Sequence, residues 1–139
     1  MADRRILIID DEQAIQAVAS LSLKMEANWQ VLTANSGSEG IHKAEQEQPD
    51  AILLDVMMPI MDGIGTFKQL QQNPQTRSIP VILLTAKAQA AEQEQFYDLG
   101  VAGVITKPFN SLTLASQITQ LLGGKLTTWF FSVGTNGCS

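Results

Sequence analysis

Four apolar runs in this sequence stop on residues able to do chemistry. Ile6-Leu7-Ile8-Ile9 runs into Asp10-Asp11-Glu12, Ala51-Ile52-Leu53-Leu54 into Asp55, Val81-Ile82-Leu83-Leu84 into Thr85, and Gly103-Val104-Ile105-Thr106 into Lys107. Acids, a hydroxyl and an amine at such positions form a set that can hold a hard cation and engage a phosphoryl-like anion. Carboxylates about 5 Å apart repel pairwise by on the order of 3 kcal/mol at an effective dielectric of 20. A fold does not gather Asp10, Asp11 and Asp55 to become more stable. Oxygen ligands presented from loops suit a divalent cation that keeps several waters, with Mg²⁺ the natural choice. The Asp10-Asp11 pair alone has a simpler reading, a helix N-cap followed by a first-turn acid; Asp55 at a second strand end weighs toward the metal. Lys107, fixed by Pro108 and Phe109, can reach the acids and pair with Asp55. Thr85 can donate to a phosphoryl oxygen, although alone it reads as a cap or turn residue.

Runs apolar on every residue read as strands buried on both faces. Gln30-Val31-Leu32-Thr33 and Gly103-Val104-Ile105-Thr106 are the weaker strands. Between the strands the spacing is helical. Ala14, Val18, Leu21 and Met25 mark one apolar stripe, and Leu114, Ala115, Ile118, Leu121 and Leu122 another. Ile41 with Ala44, and Phe67 with Leu70, anchor two shorter helices. Gln89 to Leu99 is helical by composition but has only Phe96, Leu99 and alanines to bury. Regular strand–helix alternation predicts an α/β domain ending near Leu122, a doubly wound sheet of five parallel strands with five helices and right-handed crossovers. In such folds the chemistry gathers at the carboxyl ends of the strands, where these residues fall.

The chain has 139 residues, 45% of them hydrophobic and 17% charged, enough for one domain with its own core and too apolar for global disorder. A net charge of −5 repels phosphate backbones, so direct nucleic-acid binding by this domain is not expected. No apolar run approaches the ~20 residues of a membrane span, and Met1-Ala2-Asp3-Arg4-Arg5 is not a signal peptide. Cys138, the only cysteine, has no internal partner; a cytoplasmic setting fits.

Taken in order, Ile8-Ile9-Asp10-Asp11-Glu12, Leu54-Asp55-Val56-Met57-Met58-Pro59-Ile60-Met61-Asp62-Gly63, Leu84-Thr85-Ala86 and Lys107-Pro108-Phe109 resemble the response-regulator receiver domain, the phospho-accepting half of two-component signalling. The resemblance covers about Arg4 to Leu122. It implies a flavodoxin-like sheet of strand order 2-1-3-4-5. It also implies that Asp55 takes a phosphoryl group from the phosphohistidine of a sensor histidine kinase or phosphotransfer protein. Asp11 and Asp55 would bind Mg²⁺ directly, Asp10 through water or from further out, and the main-chain carbonyl of Met57 would complete the protein ligands. Thr85 and Lys107 would engage the phosphoryl oxygens, and the Lys107–Pro108 bond would be cis. A downstream protein target or output domain, and homodimerisation on activation, belong to the same expectation. One departure stands out. Three residues before the lysine, where receivers usually carry Tyr or Phe as a rotameric switch, this chain has Val104.

Val104 keeps one alternative in play, a pseudo-receiver acting as a docking module without phosphorylation. An aspartate-nucleophile phosphatase would put its nucleophile on the first strand with an acid two residues later, which Asp55 on the third does not match. A nucleotide or flavin site would want a glycine-rich first turn, and none is present. Pro59 and Asp62-Gly63 shape the loop after Asp55, Gly63 by permitting a tight backbone. Met57, Met58 and Met61 read as adaptable packing under that loop, and His42 as a surface residue. Residues 123–139, with Trp129-Phe130-Phe131, match no receiver element and read as a tail outside the domain, native extension or non-native and disordered appendage.

Overall fold

Five short strands, Arg5–Ile9 (β1), Gln30–Ala34 (β2), Ala51–Asp55 (β3), Val81–Thr85 (β4) and Gly103–Thr106 (β5), pair in parallel in the order β2-β1-β3-β4-β5. The structure, a computed structural model, describes residues 4–57, 63–86 and 90–122. The connecting helices are Gln13–Ala27 (α1), Gly37–Glu47 (α2), Gly63–Gln72 (α3) and Ala90–Asp98 (α4), with α5 over 114–122. Successive side chains along a strand point to opposite faces, which explains why the strands are apolar throughout. Ile6, Ile8, Leu53, Ile82 and Leu84 join the cluster under α1 and α5, while Leu7, Ile9, Ile52, Leu54 and Leu83 join the one holding Phe67 and Leu70 of α3. Each fully buried Leu or Ile contributes about 1.5–3 kcal/mol.

The helix ends are locally encoded. Ser36 caps α2 by accepting from the Glu39 N–H at 3.2 Å, and Glu39 reaches back to accept from the Asn35 N–H at 2.9 Å. That backbone hydrogen bond, aided by Lys43, holds the Glu39 carboxyl below its usual range despite the opposing cost of burial. Asn28 and Gln48 end α1 and α2 in the left-handed region. Glu26 of α1 accepts from the Ala115 N–H at 3.0 Å and the Ser116 hydroxyl at 3.2 Å, placing an acid at the positive end of α5.

Two expectations about buried faces are corrected. The stripe of Ala14, Val18, Leu21 and Met25 does not face the core. Val18, Leu21 and Met25 are 46%, 59% and 77% exposed, and the core takes Ala19 and Leu23, with Ile15 and Ala27 packed at its edge. α1 is apolar on more than one side, and the small Ala19 and Ala27 lie on the side that can approach the sheet closely. Just past α4, Leu99 is 38% exposed; among the described residues of that helix Phe96 alone packs against the core, and Val101 beyond it is buried. Of the α5 stripe, Leu114, Ala115, Ile118 and Leu122 are buried and Leu121 is half-buried at the edge of the core; His42 is exposed. Residues 123–139 lie outside the described residues.

Candidate functional site

Parallel pairing brings the strand ends to one edge. The register sets Ile9 beside Leu54, Asp55 beside Leu84 and Thr85 beside Thr106, so the residues at or just past those ends converge. Asp10, Asp55 and Thr85 are 0%, 2% and 0% exposed, whereas Asp11 is exposed. One carboxylate oxygen from each of Asp10, Asp11 and Asp55 lies within 4.8 Å of the others. The simpler reading of the acidic pair fails. The α1 N-cap is Glu12, which makes no side-chain cap, and the first turn holds no acid. Asp10 Oδ1 instead accepts from the Glu12 N–H at 2.9 Å.

Lys107 faces this cluster. Its Nζ is 3.0 Å from Asp55 Oδ1, 3.4 Å from Asp10 Oδ2 and 3.7 Å from Glu12 Oε1, and its side chain is 17% exposed. The Lys107 N–H donates to the Thr85 carbonyl at 2.7 Å, and the Lys107–Pro108 bond is cis. Burial alone would lower the lysine's pKa. The hydrogen bond to Asp55 and the charges of Asp10 and Asp55 outweigh it, holding the ammonium above its ordinary value. The Asp10 carboxyl is pushed up, first by burial and further by the Asp55 charge, against the pull of the Glu12 N–H and Lys107. With four carboxylates to one ammonium, the site carries uncompensated negative charge. Clustered carboxylate oxygens are the donor set a hard divalent cation takes, so the residues fit Mg²⁺.

Gly63 is explained by its surroundings. Its N–H donates to the Val56 carbonyl at 2.9 Å, and a Cβ there would fall 2.3 Å from the Asp55 carbonyl oxygen and 2.6 Å from Val56 Cα. The start of α3 is pressed against the backbone that leaves Asp55. Gly63→Ala is expected to destabilise the protein by about 3 kcal/mol, the upper range for overpacking, because backbone has to give way. Urea titration checks this; a change under about 0.5 kcal/mol would show that the segment yields freely.

Met57 departs from the expectation of packing: its side chain is 66% exposed, while its N–H donates to Asp55 Oδ1 at 3.3 Å. Met58, Pro59, Ile60, Met61 and Asp62 lie outside the described residues. Val104 is half-buried on the face of β5 that meets the cluster holding Phe96. Gln16 was missed by the sequence reading. Its carboxamide lies over the ends of β1 and β2, bonded to the Asp10 carbonyl at 2.6 Å. A polar residue in the first turn of α1, shortly after the acidic pair, is the only signal the sequence offered. A cleft of about 390 Å³ lined by Arg4, Arg77, Ile79 and Leu122 gathers strand starts at the opposite edge and touches none of these groups.

The response regulator receiver domain model matches residues 6–119. The chain is 37% identical over 120 residues to the alkaline phosphatase synthesis transcriptional regulatory protein PhoP of Bacillus subtilis, covering 86% of this chain and 49% of that protein. It spans about half the length of the curated relatives it first matches. Vibrio cholerae chemotaxis protein CheY4 superimposes with a TM-score of 0.78 at 30% identity, covering 86% of this chain and 99% of that one. The receiver domain of the Pseudomonas aeruginosa sensor histidine kinase PA1611, solved with a magnesium ion coordinated in its active-site cleft, gives 0.76 at 27% identity over 88% and 99% of the two chains. With its sheet order, its strand-end residues and a family model spanning most of its length all in agreement, the chain belongs to the response regulator receiver domain family.

Proposed function

We propose that this chain is a phospho-accepting switch in which Asp55 takes a phosphoryl group from the phosphohistidine of a sensor histidine kinase or phosphotransfer protein. The observation that carries this reading is the Lys107 ammonium 3.0 Å from Asp55 Oδ1, beside a cluster of three carboxylates whose oxygens lie within 4.8 Å of one another. An Asp55 carboxylate oxygen forms the new bond to phosphorus as the donor's P–N bond breaks, its electron pair leaving with the imidazole. Asp10, Asp11 and Asp55, with the main-chain carbonyl of Met57, would hold Mg²⁺. The cation, when bound, supplies positive charge where the transferring group's oxygens are most negative. Lys107 offsets charge on those oxygens from the other side, and Thr85 donates its hydroxyl to one of them. The chain thus catalyses its own phosphorylation and dephosphorylation and has no external substrate to turn over. Nothing favours the pseudo-receiver alternative.

The receiver unit runs over residues 1–122, with 123–139 outside it. Its partners are the kinase and a downstream protein target or output domain, met in the cytoplasm, with homodimerisation on activation. Among the described residues no helix is long and apolar enough to cross a membrane. The domain's own charge disfavours nucleic acid; any DNA contact, as the transcriptional regulators among its longer relatives would make, falls to sequence beyond the receiver. With Val104 in place of an aromatic ring, output runs through α4, held to the domain by Phe96 and by Gln93 Nε2 donating to Thr106 Oγ1 at 3.4 Å. Intact mass after incubation with acetyl phosphate tests the reading. One base-labile phosphoryl group should appear with Mg²⁺ and not with EDTA; equal uptake in both, or none in either, would overturn it.

A further inference from the structure

Asp11 brings its carboxylate to the cluster without help from its own side chain. Asp10 is fixed by the Glu12 N–H and by Lys107, and Asp55 by Lys107 and the Met57 N–H. The Asp11 side chain is exposed and makes no hydrogen bond or ion pair among the described residues. With no side-chain partner, its placement depends on its backbone, which the peptide joining it to Asp10 leads into.

That peptide is held by Gln16. The Gln16 Nε2 donates to the Asp10 carbonyl at 2.6 Å, to Asn35 Oδ1 at 2.8 Å and to the Ala34 carbonyl at 3.2 Å. A carboxamide nitrogen carries two hydrogens, so the three oxygens share them, the two nearer ones most strongly. The Asp10 N–H adds to the tie by donating to the Ala34 carbonyl at 3.1 Å. Beyond Asn35 the chain of contacts continues into α2: the Asn35 N–H donates to Glu39 Oε1 at 2.9 Å, and Glu39 Oε2 is 3.5 Å from Lys43 Nζ. The Asp10 carbonyl is thus anchored to a helix on the other side of the sheet.

We propose that Gln16 is a positioning residue for the divalent-cation site, fixing the Asp10–Asp11 peptide so that the Asp11 carboxylate meets those of Asp10 and Asp55. This rests on the reading of those acids as cation ligands. Groups that orient metal ligands without touching the metal typically control affinity by 10–100-fold. Gln16→Met keeps the length of the side chain and removes both donors. Calorimetric titration with MgCl₂, at a temperature where wild type and variant are both folded, should show Mg²⁺ binding weakened about tenfold or more. In acetyl phosphate uptake the half-saturating Mg²⁺ should rise by a similar factor, with the rate at saturating Mg²⁺ unchanged. A role confined to packing would lower the melting temperature and leave Mg²⁺ affinity alone, and that result overturns the proposal. Should Gln16→Met fail to fold, Asn35→Ala loosens the far end of the same tether and should weaken Mg²⁺ at least twofold; unchanged affinity there overturns it equally. If the wild type itself binds no Mg²⁺, the ligand reading fails, and this proposal with it.

Discussion

Asp55→Asn is expected to take up no phosphoryl group from acetyl phosphate under conditions that modify the wild type. The amide nitrogen has no nucleophilic lone pair to offer phosphorus, and the amide oxygen is a far weaker nucleophile than a carboxylate. The substitution is nearly isosteric at a position 2% exposed, and the amide oxygen can still accept from Lys107 Nζ and the Met57 N–H. Loss of uptake therefore reports chemistry and not unfolding. The chain neighbours, Leu54 and Val56, carry no hydroxyl to serve as a substitute acceptor. Intact mass and peptide mapping check the result. A phosphoryl group retained on the variant, or mapped to Ser or Thr in the wild type, would overturn the assignment of Asp55.

Lys107→Ala is expected to cost about 3 kcal/mol in the absence of Mg²⁺, because it leaves two buried carboxylates without their ammonium. For a domain of this size that is a fall in melting temperature of roughly 10 °C. The pH dependence identifies the cause. In the wild type the raised Lys107 pKa contributes stability that is present at neutral pH and lost as pH rises through the folded-state value. The raised Asp10 pKa has the same sense in a lower pH range: the folded protein binds that proton more tightly than the unfolded chain, so this contribution grows as pH falls toward the carboxylate range. Without the lysine that effect enlarges. The deficit of the variant should shrink as pH is lowered from about 7 to about 5, and shrink again when Mg²⁺ is added at neutral pH. Chemical denaturation across that range checks it. A deficit indifferent to both pH and Mg²⁺ would mean that the lost methylenes, and not the charge, carried the effect.

The sequence by itself determined where chemistry could occur. Strands buried on both faces must be apolar along their whole length, so each abrupt change to Asp, Thr or Lys marked a strand end, and regular alternation with helices required those ends to share one edge. That made Asp10, Asp11, Asp55, Thr85 and Lys107 legible as a set. Tertiary structure alone decided what the set does electrostatically. Lys107 meets Asp55 across 52 residues of chain and Asp10 across 97, and the raised pKa of each of Asp10 and Lys107 depends on burial and distances that no local pattern carries. It also decided which side of α1 is inside. Ala14, Val18, Leu21 and Met25 satisfy helical periodicity as well as Ile15, Ala19, Leu23 and Ala27 do, and only contact with the sheet separates the two rows. That Gly63 permits a tight backbone was legible, but the atoms it makes room for were not, and the role of Gln16 was hidden for the same reason. A carboxamide and a missing Cβ acquire their roles from the backbone oxygens and atoms around them: Ala34 lies 18 residues from Gln16, and the main chain of Asp55 and Val56 fills the place of a Gly63 Cβ only once α3 has folded back against β3.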